Sequence, residues 1–169
     1  MAKAVVVVEY DPAWPRLFER LRARVTGALS GLAVAVEHVG STAVPGLPAK
    51  PIIDLDAIIP SAADLPVAIE RLTAIGYVHQ GDLGIPGREA FAPPPDTPRH
   101  HLYVCTPDSA EYRRHVLFRD YLRAHPGEAR AYGELKRAAA RRFGDDRDAY
   151  TKAKDAFVAA ILQRAARGA

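Results

Sequence analysis

Asp54 and Asp56 have the spacing in this sequence that most strongly suggests chemistry. They lie two positions apart within the apolar run 51–59, which reads as a strand. Residues i and i+2 of a strand project from the same face, so the two carboxylates would lie side by side. Neighbouring carboxylates raise each other's pKa, and a divalent cation removes that penalty. The pair predicts a metal site for Mg²⁺, with Mn²⁺ as the alternative, although capping or salt bridges could also account for it.

A Gly-Ser turn precedes this strand and predicts a phosphate site. Gly40 lets the backbone approach a ligand closely, while Ser41 and Thr42 follow it with hydroxyl and N–H groups. Lys50 comes just before the strand and would add a positive charge. Taken alone, Gly40 and Ser41 read as an ordinary tight turn. A phosphate-binding turn beside a metal-binding carboxylate pair is typical of phosphoryl or nucleotidyl transfer.

The residues near position 100 supply further candidates. The segment His100–Cys105 reads HHLYVC, in which His101 and Tyr103 share one face of a strand. A histidine there could ligate a metal, act as an acid or base, or have a purely structural role. Arg99 ends a proline-rich stretch and could neutralise charge on a bound anion. We therefore add His101 to the predicted catalytic residues and Arg99 to the phosphate-binding ones.

Composition limits the class of protein. The chain has 169 residues, of which 49% are hydrophobic and 25% charged, enough for one domain with an ordinary core. No apolar run approaches the roughly 20 residues that span a bilayer, and one cysteine suggests a reducing compartment, so we expect a cytoplasmic protein with no membrane partner. Residues 100–169 carry 14 Lys and Arg against 9 Asp and Glu. That excess leaves RNA open as a partner, although solvated helix faces explain it more simply.

Apolar patterning predicts an α+β fold in which strands and helices alternate at first and helices follow alone. Strands are expected at 5–8, 34–39, 51–59, 77–79 and 102–106. Helices are expected from 12–15 to 31, at 64–75, and three times after 109. The segment 81–99, rich in proline and glycine, is expected to be mostly loop. These elements predict one domain, 1–169, with a small mixed sheet in residues 1–107 and a helical C-terminal layer in 108–169.

Several blocks in order along the chain resemble the GrpB family, also called UPF0157. They are YDPAWPRLF, EHVGSTAVPGLPAKPIIDLD, HHLYVC, FRDYLRAHP, AYGELK and YTKAKDAF. The Gly-Ser turn followed by Asp-x-Asp also resembles the nucleotidyltransferase superfamily that includes DNA polymerase β. The resemblance implies a nucleotidyltransferase-like fold, triphosphate binding at the Gly-Ser turn and Mg²⁺ binding at the two aspartates. It also makes Arg119 a candidate for reading a ligand, alongside a structural role in pairing with neighbours.

One departure from the superfamily pattern keeps alternatives open. Active members usually carry a third carboxylate on a later strand, whereas HHLYVC has none, and His101 and Tyr103 are the candidates for its place. We expect a Mg²⁺-dependent nucleotidyltransferase that acts on a nucleoside triphosphate or another phosphorylated small molecule, with the acceptor left open. The alternatives are a non-catalytic nucleotide or phosphometabolite binder, and an RNA- or protein-binding module that uses the basic C-terminal helices.

Overall fold

A five-stranded sheet forms the centre of the fold. The computed structural model describes residues 4–168, and its strands are β1 (Ala35–Val39), β2 (Ile53–Ile58), β3 (Val78–Gly81), β4 (Arg88–Ala92) and β5 (His100–Cys105). The sheet order is β1-β2-β5-β4-β3. β2 and β5 run parallel, and the other neighbouring strands are antiparallel. This order places β2 and β5 side by side in the middle of the sheet, as a site shared between them requires.

The main core lies between one face of the sheet and two helices, α1 (Trp14–Ala28) and α2 (Leu65–Ala74). Trp14, Leu21 and Val25 recur at helical spacing on α1 and are buried there. Leu55 and Ala57 of β2 are fully buried in the same cluster. The predicted alternation of β2 is therefore confirmed, since its apolar residues face α1 and α2 and its aspartates project from the opposite face.

Three consecutive helices cover the opposite face of the sheet: α3 (Ala110–Ala124), α4 (Pro126–Phe143) and α5 (Arg147–Arg167). Their starts follow from local sequence, since Ser109 and Asp146 cap α3 and α5 and a proline opens α4. A second apolar cluster joins these helices to the loop after β1. It includes Val44 and Leu47 of the loop and Leu122 of α3. This second cluster holds the three helices over the face of the sheet that carries the aspartates.

One predicted element is wrong and another is incomplete. Val5–Val8 forms no strand, because Val8 makes only an isolated bridge to Ala49 and the Val5 N–H donates to the Gly144 carbonyl. The expected loop 81–99 contains β4, whose sequence REAFA shows little β-branched character. Its pairing with both β3 and β5 supplies the ordering that its local sequence does not, an instance of tertiary context overriding propensity.

The fold class expected from the sequence is confirmed. The chain is α+β, with a small mixed sheet, flanking helices and a helical C-terminal layer. β3 is an edge strand, as expected from its short apolar segment. Among residues 4–168, none of the helices combines the length and the apolar character that crossing a bilayer demands.

Candidate functional site

The aspartates of β2 and the aromatic residues of β5 form one polar face of the sheet. In the parallel register Asp54 lies beside His101, and Asp56 lies beside Tyr103. Asp54, His101 and Tyr103 line a cavity of about 420 Å³ that lies between the sheet and helices α3, α4 and α5. That volume is within the range of small-molecule sites, roughly 300–1,000 Å³. The fold thus brings together Asp54 and His101, two of the predicted catalytic residues.

Asp54 and His101 are joined directly. His101 Nδ1 lies 2.8 Å from Asp54 Oδ1, and both side chains keep part of their surface exposed, 27% for Asp54 and 43% for His101. An N–H on Nδ1 that donates to the carboxylate leaves Nε2 as the basic nitrogen of the neutral ring. The pair therefore offers a histidine that is oriented by a carboxylate and open to the cavity.

Asp56 is held by a histidine that the sequence reading did not select. Its side chain is fully buried, and Oδ2 lies 2.7 Å from Nδ1 of His115 on α3. The Nε2 of His115 lies 3.1 Å from Glu111 Oε1, so both ring nitrogens are engaged. Burial acts to lower the pKa of His115, but the hydrogen bond and the charge of Asp56, together with Glu111, raise it overall. His115 thus links α3 to the sheet, with each ring nitrogen facing a carboxylate.

Gly40 brings the turn against Asp54. Its φ of 74° and ψ of −175° fall in a region that L side chains rarely adopt. A Cβ placed on Gly40 would overlap Asp54 Oδ2 and come within 3.1 Å of Asp54 Cγ. Glycine is therefore needed here both for its backbone angles and for the space it leaves beside the carboxylate.

Replacing Gly40 with alanine is expected to lower the free energy of unfolding by about 2–4 kcal/mol, from backbone strain plus the overlap with Asp54. Gly46→Ala is the matched control, because Gly46 has a φ of 79° with nothing within 4 Å of an added Cβ. Its expected loss is about 1–2 kcal/mol. Urea unfolding of both variants measures the difference, and equal losses would show that Gly40 is not packed against Asp54.

The turn after Gly40 is tied down from two directions. The Thr42 hydroxyl is buried, 2.9 Å from His38 Nε2, and donates to the Ile52 carbonyl at 3.4 Å. Burial lowers the pKa of His38 to about 4, which keeps the ring neutral. Arg123 of α3 donates to the Ala43 carbonyl at 2.9 Å. Ser41 and Thr42 both line the cavity. The Thr42 hydroxyl is engaged by His38 and the Ile52 carbonyl, whereas the Ser41 hydroxyl pairs with that of Tyr132, which also lines the cavity, so a ligand would meet Ser41 and Tyr132 together.

Three lysines line the cavity, from three parts of the chain: Lys50 before β2, Lys136 on α4 and Lys154 on α5. We call them the lysine cluster. The Lys50 and Lys154 amines lie over the same ring, that of Tyr150, at 5.1 and 4.4 Å from its centroid. Lys136 Nζ lies 4.8 Å from the centroid of Tyr132. Lys50 was predicted to bind phosphate. Lys136 and Lys154 were not selected from the sequence, because lysines on helices usually lie at the surface, and the structure places both at the cavity.

Two arginines missed by the sequence reading also line the cavity. Arg88 of β4 stacks on Tyr103, with Cζ 4.2 Å from the ring centroid, and its buried Nε has no hydrogen-bond partner. Arg114 of α3 donates to Glu111 at 3.0 Å. β4 was read as loop, so no sequence signal pointed to Arg88. For Lys136 a signal exists, since it falls in the buried stripe of α4 with Ala129, Tyr132, Gly133 and Ala139.

Two predicted phosphate-binding residues do not line the cavity. Arg99 is exposed at the start of β5, although its charge is close enough to help lower the pKa of Lys50, after burial and the charge of Arg147. Arg119 is buried and points to β1. It donates to Glu37 at 2.7 Å and to the His38 carbonyl at 3.0 Å, so its position fits the structural role. Either arginine could influence a bound phosphate only indirectly, Arg99 through Lys50 and Arg119 through Glu37 and His38.

The carboxylate pair can be tested against the Mg²⁺ implied by its spacing. Within residues 4–168, no three His, Cys, Asp or Glu side chains converge as a metal-binding group. Mg²⁺, however, commonly takes one or two protein carboxylates and completes its shell with waters and substrate phosphates. Asp56 Oδ1 is buried without a hydrogen-bond partner, and Asp54 uses Oδ1 for His101. Asp54 lines the cavity with Oδ2 to spare, whereas Asp56 is fully buried behind it and does not line the cavity. The pair therefore fits such a cation through Asp54 first, with a phosphorylated ligand completing the shell.

Comparison with solved structures shows one close overall likeness. A crystal structure of the conserved protein GrpB from Enterococcus faecalis superposes with a TM-score of 0.87, at 36% identity, over 96% of this chain and 98% of that one. A structure of the Cid1 poly(U) polymerase bound to MgATP matches at 10% identity and a TM-score of 0.46, over 78% of this chain and 45% of that one. The second score is too low to support an inference about this chain.

Sequence comparison agrees with the first of these structures. The UPF0157 protein PA4798 of Pseudomonas aeruginosa is 43% identical over 165 residues, which span 95% of this chain and 67% of that protein. The family described as GrpB protein matches residues 4–164. This match spans the sheet, the turn and all three C-terminal helices, and with it the whole cavity. The chain belongs to the GrpB family.

Proposed function

We propose that the chain binds a nucleoside triphosphate with Mg²⁺ in the cavity and transfers the nucleotidyl group to an acceptor. The observation that carries this proposal is the arrangement of opposite charges around one space. The cavity is lined by Asp54, backed by Asp56, on the sheet, by Lys50 just before β2, and by Lys136 and Lys154 on the helices that cover the sheet. Such a division suits a polyphosphate that is bound at one end by cations and presents the other to a carboxylate-held metal.

Each part of the site has a separate role in this proposal. Asp54 and Asp56 would hold Mg²⁺, which supplies charge neutralisation at the phosphates when it is bound. Gly40 gives Asp54 its space, and the Ser41 hydroxyl, on the cavity surface, would donate to a phosphate oxygen. His115 orients Asp56 through a hydrogen bond, and its charge opposes the rise in the pKa of Asp56 that burial causes. The lysine cluster would bind the part of the polyphosphate that leaves.

His101 replaces the missing third carboxylate as the base. Its Nδ1 is fixed by Asp54, so Nε2 is available to accept the proton of an acceptor hydroxyl. The acceptor oxygen forms a bond to the α-phosphorus, the bond from that phosphorus to the bridging oxygen breaks, and pyrophosphate leaves with the electron pair. The proton from the acceptor ends on His101 Nε2.

A nucleotide panel tests this proposal. Wild-type protein is melted with ATP, GTP, CTP or UTP, with and without Mg²⁺, beside Asp54→Asn and the exposed-loop control Asp96→Asn. One nucleotide with Mg²⁺ is expected to stabilise the wild type and the control by about 2.7 kcal/mol at 100 times its Kd. Asp54→Asn is expected to lose the metal-dependent part. No shift with any nucleotide, in a folded wild type, would contradict the proposal.

A non-catalytic nucleotide or phosphometabolite binder is the second candidate, and one observation favours it. Glu37 is the carboxylate opposite Asp56 in β1, but it is paired with Arg119. The neighbouring strands thus supply no free third acid among the described residues. Pyrophosphate release separates the two candidates, because a binder shows the nucleotide-dependent stabilisation without turnover. The cytoplasmic location predicted from composition remains a prediction.

A further inference from the structure

Lys136 is the least explained polar group in the molecule. Its side chain is 2% exposed, and Nζ is buried with no hydrogen-bond partner. Transferring an amine from water to such a place costs free energy unless an acceptor compensates. The amine nevertheless lines the cavity, on the same side as Lys50 and Lys154. Its position suggests that the missing acceptor belongs to a ligand.

Lys136 is also held in place by its helix. Gly133 lies one turn earlier on α4, where an added Cβ would be 2.9 Å from Pro48 Cδ. This close approach packs α4 against the loop after the Gly-Ser turn. Tyr132 on the same turn belongs to the second apolar cluster with Leu47 and Leu122. The helix therefore cannot move outward to hydrate the lysine without breaking this cluster.

The charges around Lys136 are mostly positive. Lys154 of α5 and Lys50 face it, and Arg137 adds a further positive charge from α4. Burial, followed by these three charges, lowers the pKa of Lys136 to about 7. Burial and Lys50 likewise lower the pKa of Lys154 to about 8, against the opposing charges of Asp155 and Asp54. Besides these groups, the titratable or charged side chains that line the cavity are Arg88, Arg114, His101, His115, Tyr103, Tyr132 and Tyr150.

We propose that Lys50, Lys136 and Lys154 form a polyphosphate-binding subsite that takes up a proton as the anion enters. The subsite rests on the proposed function for its place in the reaction, where it would hold the pyrophosphate that leaves. Three amines suit a polyphosphate better than a single phosphate, because a polyphosphate carries more negative charge and can present a separate phosphate group to each amine. An entering anion favours the charged form of each amine, so a neutral Lys136 becomes protonated on binding.

Titration calorimetry with inorganic tripolyphosphate tests the subsite without metal. The protein is titrated at pH 7.5 in EDTA and low salt, in two buffers of different ionisation enthalpy. Wild type is expected to bind tripolyphosphate, with orthophosphate far weaker. A group with a pKa of about 7 is roughly three-quarters neutral at pH 7.5, so the proton uptake of the wild type is expected to exceed that of Lys136→Met by up to about three-quarters of a proton per anion. Taking this difference removes the titration of the anion itself. Lys136→Met and Lys154→Met are each expected to weaken binding at least about tenfold.

Lys152→Met is the matched control, since Lys152 is exposed on α5 two residues before Lys154. It is expected to bind like the wild type, and circular dichroism checks that every variant is folded. Wild-type protein that does not bind tripolyphosphate, Lys136→Met that binds as tightly as Lys152→Met, or binding with no difference in proton uptake would each overturn the proposal. Tripolyphosphate binding without nucleotidyl transfer would leave the subsite intact and refute only the proposed reaction.

Discussion

Lys136→Met is expected to raise the free energy of unfolding of the ligand-free protein by about 1–3 kcal/mol, although it weakens anion binding. Methionine fills most of the same volume and removes a buried amine that has no partner. A gain in stability coupled to a loss of binding distinguishes a ligand-binding lysine from a structural one, whose removal would lower stability. Urea unfolding measures the change, with Lys152→Met as the exposed control, expected to lie within about 0.5 kcal/mol of wild type.

The pH dependence of this gain has a definite sign. The folded-state pKa of Lys136 is about 7, below the 10.5 of the unfolded chain. Between these values the unfolded state binds more protons, so wild-type stability rises with pH relative to the variant. The advantage of Lys136→Met is therefore largest below pH 7 and shrinks toward pH 10. A variant that is less stable than the wild type at pH 6 would contradict this account of Lys136.

Arg119→Met is expected to lower the free energy of unfolding by about 2–3 kcal/mol. Of the substitutions predicted outside the apolar core, only Gly40→Ala is expected to cost more. Arg119→Met removes the hydrogen bonds to Glu37 and the His38 carbonyl, and with them the tie between α3 and β1. Glu37 keeps 34% of its surface exposed, which places the loss below that of a fully buried pair.

Arg113→Met is the control for Arg119, because Arg113 is exposed on the same helix. It is expected to change stability by less than about 0.5 kcal/mol. Tripolyphosphate binding by Arg119→Met, measured under conditions where it is folded, is expected to stay within a few-fold of wild type. A large specific loss of binding with unchanged stability would instead restore Arg119 as a ligand-reading residue.

Local sequence pattern was enough to predict where the two aspartates project and where the Gly-Ser turn lies. The alternation of β2 places Asp54 and Asp56 on one face, and the turn at Gly40 follows from residue type alone. The apposition of His101 to Asp54 required only that two predicted strands be neighbours. These predictions depend on spacings of a few residues, which sequence periodicity reports directly.

The lysine cluster depends on how elements far apart in the sequence pack together. Local sequence pattern does not report such packing. Lys50, Lys136 and Lys154 converge only when α4 and α5 fold back over the sheet. Arg88 was hidden because β4 is ordered by its neighbours and not by its own residues. The orientation of Arg119 was decided by Glu37, a partner 82 positions away. The sequence did contain one signal for Lys136. It falls among the buried positions of α4, where a lysine is unusual unless it is paired.

A crystal structure with a non-hydrolysable triphosphate analogue and Mn²⁺ tests the central claim most directly. The nucleotide used is the one that stabilises the protein most, and anomalous scattering locates the metal. The account predicts a polyphosphate against Lys50, Lys136 and Lys154, and an anomalous peak between the polyphosphate and the carboxylates of Asp54 and Asp56. A nucleotide bound elsewhere, or bound in the cavity with its phosphates away from the lysine cluster and no metal at the aspartates, would contradict it.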